Sequence, residues 1–302
     1  MEKLNIGLIG FGKMGQAIAY RLRQSNISVF CFDLNQESLD QATKIGIVPA
    51  DSLQKLAEHT SIFWVMVPVG PPVEKTIHEL QKYIKKGAII IDGGNSKFFD
   101  SIVRYEQLKE KEIHFLDCGT SGGLQAKELG FSLMVGGDKS VYEQVEPLLK
   151  IIAAPGGYNY MGPAGAGHYV KMVHNAIEYG ILQSYAEGFH LLKDGQYKNL
   201  DLQKIATTWQ NGSVIRSWLL NLAKNIFTKN IDVSSFDGKI AQGGTGKWAV
   251  EEAEKQNVTF SVIKESLQVR NESQKTGGNY ATKLVALLRN QFGGHEAKKI
   301  KK

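Results

Sequence analysis

Short apolar runs alternate with amphipathic stretches over the first half of the chain. Residues 4–9, 28–32, 62–67, 88–92, 114–117 and 132–135 are rich in Ile, Val and Phe, and their length predicts strands. Between them, residues 15–24, 36–44, 73–83, 99–109 and 140–152 carry helical periodicity. Apolar strands separated by helices predict a mostly parallel sheet covered on both faces, an α/β arrangement.

The pattern changes at Pro155-Gly156-Gly157 and again at Gly162-Pro163-Ala164-Gly165. Residues 168–193 then read as one long helix without a proline. Further helical stretches follow at 202–209, 217–227, 247–256, 259–273 and 281–290, and strand-like runs become scarce. The expected plan is an N-terminal α/β domain over 1–164 and an all-α C-terminal domain over 165–302. No internal repeat or low-complexity segment interrupts it.

With 302 residues there is length for two domains of ordinary size. No apolar run approaches the ~20 residues of a membrane helix, and residues 4–9 are too short for a signal-peptide core, so no membrane partner is expected. Both cysteines, Cys31 and Cys118, lie in apolar strand-like runs, which fits a reducing cytoplasm. Cys118 precedes a glycine-rich turn, so it reads either as a reactive thiol or as a small buried residue. The formal net charge is +6, much of it in Lys298, Lys299, Lys301 and Lys302. Without a basic stripe interleaved with aromatics, no nucleic-acid partner is expected. A small anion, such as a phosphorylated substrate, would suit the remaining excess. The histidines show no metal-ligand spacing, so no metal is expected.

The first strand runs into Gly10-Phe11-Gly12-Lys13-Met14-Gly15, a G-x-G-x-x-G motif between a strand and a helix. Its glycines permit a tight turn, close approach to a pyrophosphate and close helix–strand packing. This context identifies a Rossmann-type dinucleotide site with Gly10, Gly12, Met14 and Gly15 in the loop and Val67 at the end of a later strand. The second strand ends at Asp33, eighteen residues past Gly15. An acid there accepts hydrogen bonds from ribose hydroxyls and repels a 2′-phosphate. Leu34 and Asn35 follow it, with no arginine at hand, which points to NAD rather than NADP. Asp33 also reads as a cap for the helix at 36–44, compatibly with the cofactor role.

Within the long helix, Lys171, His174, Asn175, Glu178 and Tyr179 fall on one face, while Val170, Met172, Val173, Ala176 and Ile177 make the remainder apolar. Such a helix should be buried, its polar stripe lining an internal cleft. Here the chain resembles the 6-phosphogluconate dehydrogenases of the β-hydroxyacid dehydrogenase superfamily, over nearly its whole length. Ile90-Ile91-Asp92-Gly93-Gly94-Asn95-Ser96 and Gly119-Thr120-Ser121-Gly122-Gly123 resemble superfamily loops. Lys171 to Tyr179, Gly244-Thr245-Gly246-Lys247-Trp248 and Arg289-Asn290-Gln291-Phe292-Gly293-Gly294-His295 resemble segments of that family in particular.

The resemblance implies oxidation of a phosphorylated sugar acid followed by loss of carbon dioxide. It assigns Lys171 as the base that takes the C3 hydroxyl proton and then polarises the ketone, which calls for a lysine with a lowered pKa. It assigns Glu178 as the acid that protonates the enediol carbon. Asn95 would help fix the substrate against the nicotinamide, Ser121, Gly122 and Gly123 would hold the carboxylate, and His174 and Asn175 the hydroxyls. Tyr179, Arg270 and Arg289 would take the phosphate, with His295 beside them. A surface charge is the alternative for Arg270, and a disordered end for His295. The resemblance also implies a homodimer or homotetramer, Arg289 and His295 reaching across the interface. Two positions depart from the pattern: Gly243 stands where a phosphate-binding lysine is usual, and Leu124 where a glutamate is usual. The competing reading is a dehydrogenase of an unphosphorylated acid such as 3-hydroxyisobutyrate.

Overall fold

The computed structural model describes residues 5–241 and 244–300. Leu4, Lys301, Lys302 and Gly243, the position of the missing lysine, lie outside the described residues. The chain divides into two compact units, residues 1–172 and 173–302.

The first unit is built on one sheet. Its strands are β1 (Asn5–Ile9), β2 (Ser28–Phe32), β3 (Val48–Pro49), β4 (Ile62–Val65), β5 (Ile89–Asp92), β6 (His114–Ser121), β7 (Phe131–Gly137) and β8 (Ala153–Gly162). They lie in the order β3-β2-β1-β4-β5-β6-β7-β8. Every neighbouring pair is parallel except β6 with β7. The connections carry α1 (Lys13–Gln24), α2 (Gln36–Lys44), α3 (Leu53–His59), α4 (Pro71–Leu80), α5 (Phe98–Lys109), the short α6 (Ala126–Leu129) between the antiparallel β6 and β7, and α7 (Lys139–Ile152). Alternate side chains of β1 feed opposite cores, Ile6 and Leu8 one of them and Ile9 the other, as a doubly covered sheet requires. Mostly parallel α/β architecture is therefore the fold of this unit.

Helix α8 (Ala166–Asp194) begins in the first unit and continues into the second. The second unit goes on with α9 (Leu202–Gln210), α10 (Trp218–Thr228), α11 (Thr245–Lys255), α12 (Ser261–Thr276) and α13 (Tyr280–Gly293). Leu182, Phe189, Leu220, Ile226, Leu284 and Leu288 build its own core. Among the described residues its β structure is one isolated bridge, Phe236 to Lys299. That bridge, with Asp237 N–H donating to the Lys298 carbonyl at 2.8 Å, ties the end of the chain down.

Candidate active site

The dinucleotide loop has the local geometry its sequence requires. Gly10 has φ +95°, a conformation that side chains rarely tolerate. A Cβ on Gly15 would lie 2.3 Å from the Gly10 carbonyl oxygen, so the loop can close onto α1 only with glycine there. A Cβ on Gly12 would meet nothing within 4 Å, so the backbone there borders open space. No side chain caps α1 at Gly12 and its first turn holds no acid, which leaves N–H donors for a pyrophosphate. Met14 is half-buried against the core beside them, and Val67, past β4, packs on the opposite core.

Asp33 closes the loop from β2. Its carboxylate accepts from Phe11 N–H at 2.5 Å and from Asn35 N–H at 2.8 Å. The cap of α2 is Asn35 instead, whose side chain accepts from Glu37 N–H at 2.8 Å. Leu34 next to it is 95% exposed, so no cation faces the ribose from that position. These residues fit an adenosine ribose and pyrophosphate, and the cofactor is NAD.

The further candidates of the first unit, Ser121, Gly122, Gly123, Asn95 and Lys171, depend on β6 and on the turn after β5. Ser121 ends β6, and Gly122 with φ +145° turns the chain into a single 3-10 turn from Gly123. Asn95 is exposed at the tip of the turn after β5. Lys171 is only 5% exposed. A Cβ on Gly119 would lie 2.3 Å from the Lys171 Cβ, so α8 rests directly on β6 at that point.

The side chain that anchors α8 is one the sequence did not single out. Asp117 of β6 is fully buried and accepts from Gly165 N–H and His168 N–H, each at 2.7 Å. This carboxylate caps the first turn of α8 from a neighbouring strand, and it meets the positive end of the helix dipole. His168, buried, shares a 2.7 Å hydrogen bond between its Nδ1 and Ser101 Oγ. The only sequence signal for Asp117 was an acid inside an apolar strand.

In the second unit, His174 is exposed and Asn175 half-buried, with His174 Nδ1 and Asn175 Oδ1 3.1 Å apart. The expectation of a helix buried on its apolar sides fails at Ile177 and Ile181, which are 50% and 39% exposed. Glu178 is half-buried and Tyr179 buried. Gly246 lets α11 approach Tyr179, since a Cβ there would lie 2.4 Å from the ring.

Arg270 is not a surface charge. It is 1% exposed, with its guanidinium carbon 3.3 Å from the centre of the Tyr179 ring. Neither terminal nitrogen has a hydrogen-bond partner among the described residues. Burial pulls its pKa down to about 10, the Arg289 charge adds to this, and Tyr179 and Glu178 oppose it. Arg289 is also lowered by burial, with Tyr179 and Glu178 opposing. His295 lies at the edge of the group and is held below the ordinary histidine range by partial desolvation, then by Arg289 and Arg270. Glu178, Tyr179, Arg270, Arg289 and His295 thus form one electrostatic cluster within a single chain.

Both cysteines are buried, and burial pushes each thiol upward, Cys31 to about 12, so neither is a ready nucleophile. Among the described residues no group of three metal-ligating side chains occurs, and no helix is long and apolar enough to cross a membrane.

A strand–glycine-loop–helix dinucleotide site on a mostly parallel sheet, followed by a helical unit, defines an NAD-binding protein. Residues 5–162 match the NAD binding domain of 6-phosphogluconate dehydrogenase, and residues 167–302 match the C-terminal domain of the same enzyme. The chain belongs to the 6-phosphogluconate dehydrogenase family. It is 41% identical to the NAD(+)-dependent, decarboxylating 6-phosphogluconate dehydrogenase of Haloferax volcanii, over 97% of this chain and 98% of that one. It is 36% identical to the decarboxylating 6-phosphogluconate dehydrogenase of Salmonella typhimurium, over 100% of this chain and 68% of that one. The solved Plasmodium falciparum 6-phosphogluconate dehydrogenase superimposes with a TM-score of 0.82 at 30% identity, covering 89% of this chain and 62% of that one. A 3-hydroxyisobutyrate dehydrogenase of Mycobacterium tuberculosis shares the fold, with a TM-score of 0.75 at 17% identity over 93% and 98% of the two chains.

Proposed function

We propose that the protein oxidises and decarboxylates 6-phosphogluconate to ribulose 5-phosphate and carbon dioxide, with NAD preferred to NADP. The observation that carries this reading is Arg270. A guanidinium that is 1% exposed, set against the Tyr179 ring and near Glu178, with both terminal nitrogens unpartnered among the described residues, has donors free for an anion that would further offset its desolvation. Arg289 beside it makes a pair suited to a dianionic phosphate, since guanidinium forks match phosphate oxygens. An unphosphorylated acid such as 3-hydroxyisobutyrate carries one anionic group, the carboxylate that this reading gives to Ser121–Gly123, and has no second anion for the arginine pair.

NAD supplies the hydride acceptor. Lys171 takes the C3 hydroxyl proton in its neutral form, and as an ammonium it then stabilises the ketone and the enolate oxygen that forms as carbon dioxide leaves. Glu178 delivers a proton to the enediol carbon. His174 and Asn175 orient hydroxyls, and the Ser121–Gly123 backbone receives the carboxylate. In this reading the protein is at least a homodimer. Ile177, Ile181 and Leu191 leave an exposed apolar stripe on α8, and Val262 of α12 lies close to Gly180.

One assay tests the function: initial rates with 6-phosphogluconate, gluconate and 3-hydroxyisobutyrate, each with NAD and with NADP, plus carbon dioxide release. Turnover should be confined to 6-phosphogluconate, favour NAD and release one carbon dioxide per reduced cofactor. Comparable kcat/KM for an unphosphorylated acid would overturn the substrate, and a preference for NADP would overturn the reading of Asp33.

A further inference from the structure

An ionic network, buried at Asp92 and Arg104 and exposed at Glu74, lies beneath the turn that carries Asn95, and it touches neither the glycine loop nor the candidate catalytic residues. Asp92, the last residue of β5, is fully buried. Its Oδ1 accepts from Gly94 N–H at 3.1 Å, and its Oδ2 from Ser96 Oγ–H at 2.6 Å. The same Oδ2 accepts from Arg104 Nη1 at 3.0 Å. Arg104 comes from α5 and is 2% exposed. Its Nε and Nη2 both donate to Glu74 Oε1, at 2.9 and 2.6 Å. Glu74 stands in the first turn of α4, which starts right after the loop that follows β4. Gly93 seats the turn from above, since a Cβ there would overlap Trp64 Nε1 at 2.0 Å.

One planar guanidinium therefore binds two segments together, the turn 93–96 and the start of α4. Arginine suits this because its fork fixes angles as well as distances, and because three of its nitrogens are used at once. A buried ion pair contributes little net stability against an apolar replacement, but it holds its partners in a single geometry. Asn95, exposed at the tip of the turn, inherits that geometry.

We infer that Asp92, Arg104 and Glu74 form a positioning device that sets Asn95 against the nicotinamide. Arg104 controls the hydride step through Asn95 without touching cofactor or substrate. This rests on the proposed placement of Asn95.

The test is a double-mutant cycle of Arg104→Lys and Asn95→Ala in the full-length protein. Two readouts are followed: kcat for 6-phosphogluconate, and the fluorescence enhancement of bound NADH, which reports the nicotinamide's surroundings without substrate. Lysine keeps the charge but loses the fork. Misplacing a reacting group by about an ångström costs on the order of a hundredfold, so Arg104→Lys should lower kcat by about tenfold or more. The NADH dissociation constant should change less than threefold, because the glycine loop and Asp33 are untouched. In the Asn95→Ala background the same substitution should change kcat and the enhancement by less than twofold. Equal effects in both backgrounds would mean that Arg104 supports only the fold, and would overturn the inference. Asn95→Ala without effect on either readout would overturn it by removing its premise. If the wild-type chain fails to turn over 6-phosphogluconate, the proposed function fails, and the NADH arm of the cycle still decides this one. Ser96→Ala, which removes a single bond to Asp92, repeats the cycle should Arg104→Lys fail to fold.

Discussion

On the proposed reading, Arg270 and His295 answer to the same ligand in different ways. Arg270→Met keeps the packing volume against Tyr179 and removes the charge. Hydrogen bonds to charged groups contribute about 1.5–3 kcal/mol each, so two lost bonds should lower kcat/KM for 6-phosphogluconate by at least about a hundredfold. Initial-rate measurements should put most of this in KM. A mainly kcat effect would mean that Arg270 does something other than hold the phosphate. His295 starts with a lowered pKa, because desolvation and two arginines oppose its charge. A phosphate dianion beside those arginines cancels their repulsion and raises the pKa on binding. Substrate binding should therefore take up a proton and tighten as pH falls through the raised value, levelling off below the lowered value of the free protein. Calorimetry in two buffers of different ionisation enthalpy counts that proton. His295→Gln should remove it, while any contribution from the phosphate's own titration stays in both proteins. Equal uptake by the two proteins would exclude His295 as the site.

At the level of elements, the informative contact is the Asp117 carboxylate capping α8. In Asp117→Asn one oxygen becomes an amide that faces a backbone N–H, leaving a buried donor unpaired. The cost should be about 1–3 kcal/mol, read as a lower urea midpoint. Turnover should fall as well, because Lys171 sits one turn beyond His168 on the same helix. An unchanged midpoint would show that the first turn of α8 is held by its glycine contacts alone. Legibility in the sequence also divides by element. Residues 28–32 and 36–44 show their strand and helix periods plainly, and both elements form with those bounds. The two-residue β3 and seven-residue α3 are too short to display a period. β8 was hidden because Pro155, Gly156 and Gly157 read as a break. It forms as a partly exposed edge strand with two register shifts against β7, so it needs little apolar patterning. The candidate residues of the glycine loop and α8 were visible because each set is contiguous or helically spaced. Asp92, Arg104 and Glu74 were not, since their contacts span 12 and 30 residues and no local period links them.

For the whole molecule, the question is which chain supplies the phosphate-binding arginines. The family resemblance points to donation of Arg289 and His295 across an interface. In the structure, Arg289 interacts electrostatically with Glu178 and Tyr179 of its own chain, and His295 with Arg289 and Arg270 of its own chain. The end of the chain is fastened to its own unit as well, Ile300 N–H donating to the Ser235 carbonyl at 2.8 Å. A site built this way keeps Glu178 and Arg289 on one polypeptide. Glu178→Gln and Arg289→Ala should each be nearly inactive with 6-phosphogluconate, a general acid supplying ~10²- to 10⁴-fold in rate. Mixing the two variants, unfolding them together and refolding them into hybrid oligomers should then restore no activity, because every site retains one defect. Donation across the interface predicts the opposite: in a hybrid dimer one of the two sites receives both intact residues, and activity returns well above either parent. Steady-state rates of the hybrid, isolated by a tag on each variant, decide between them. Recovered activity would show that Arg289 works in a neighbouring subunit's site, and that the cluster seen within one chain is not the one that binds substrate.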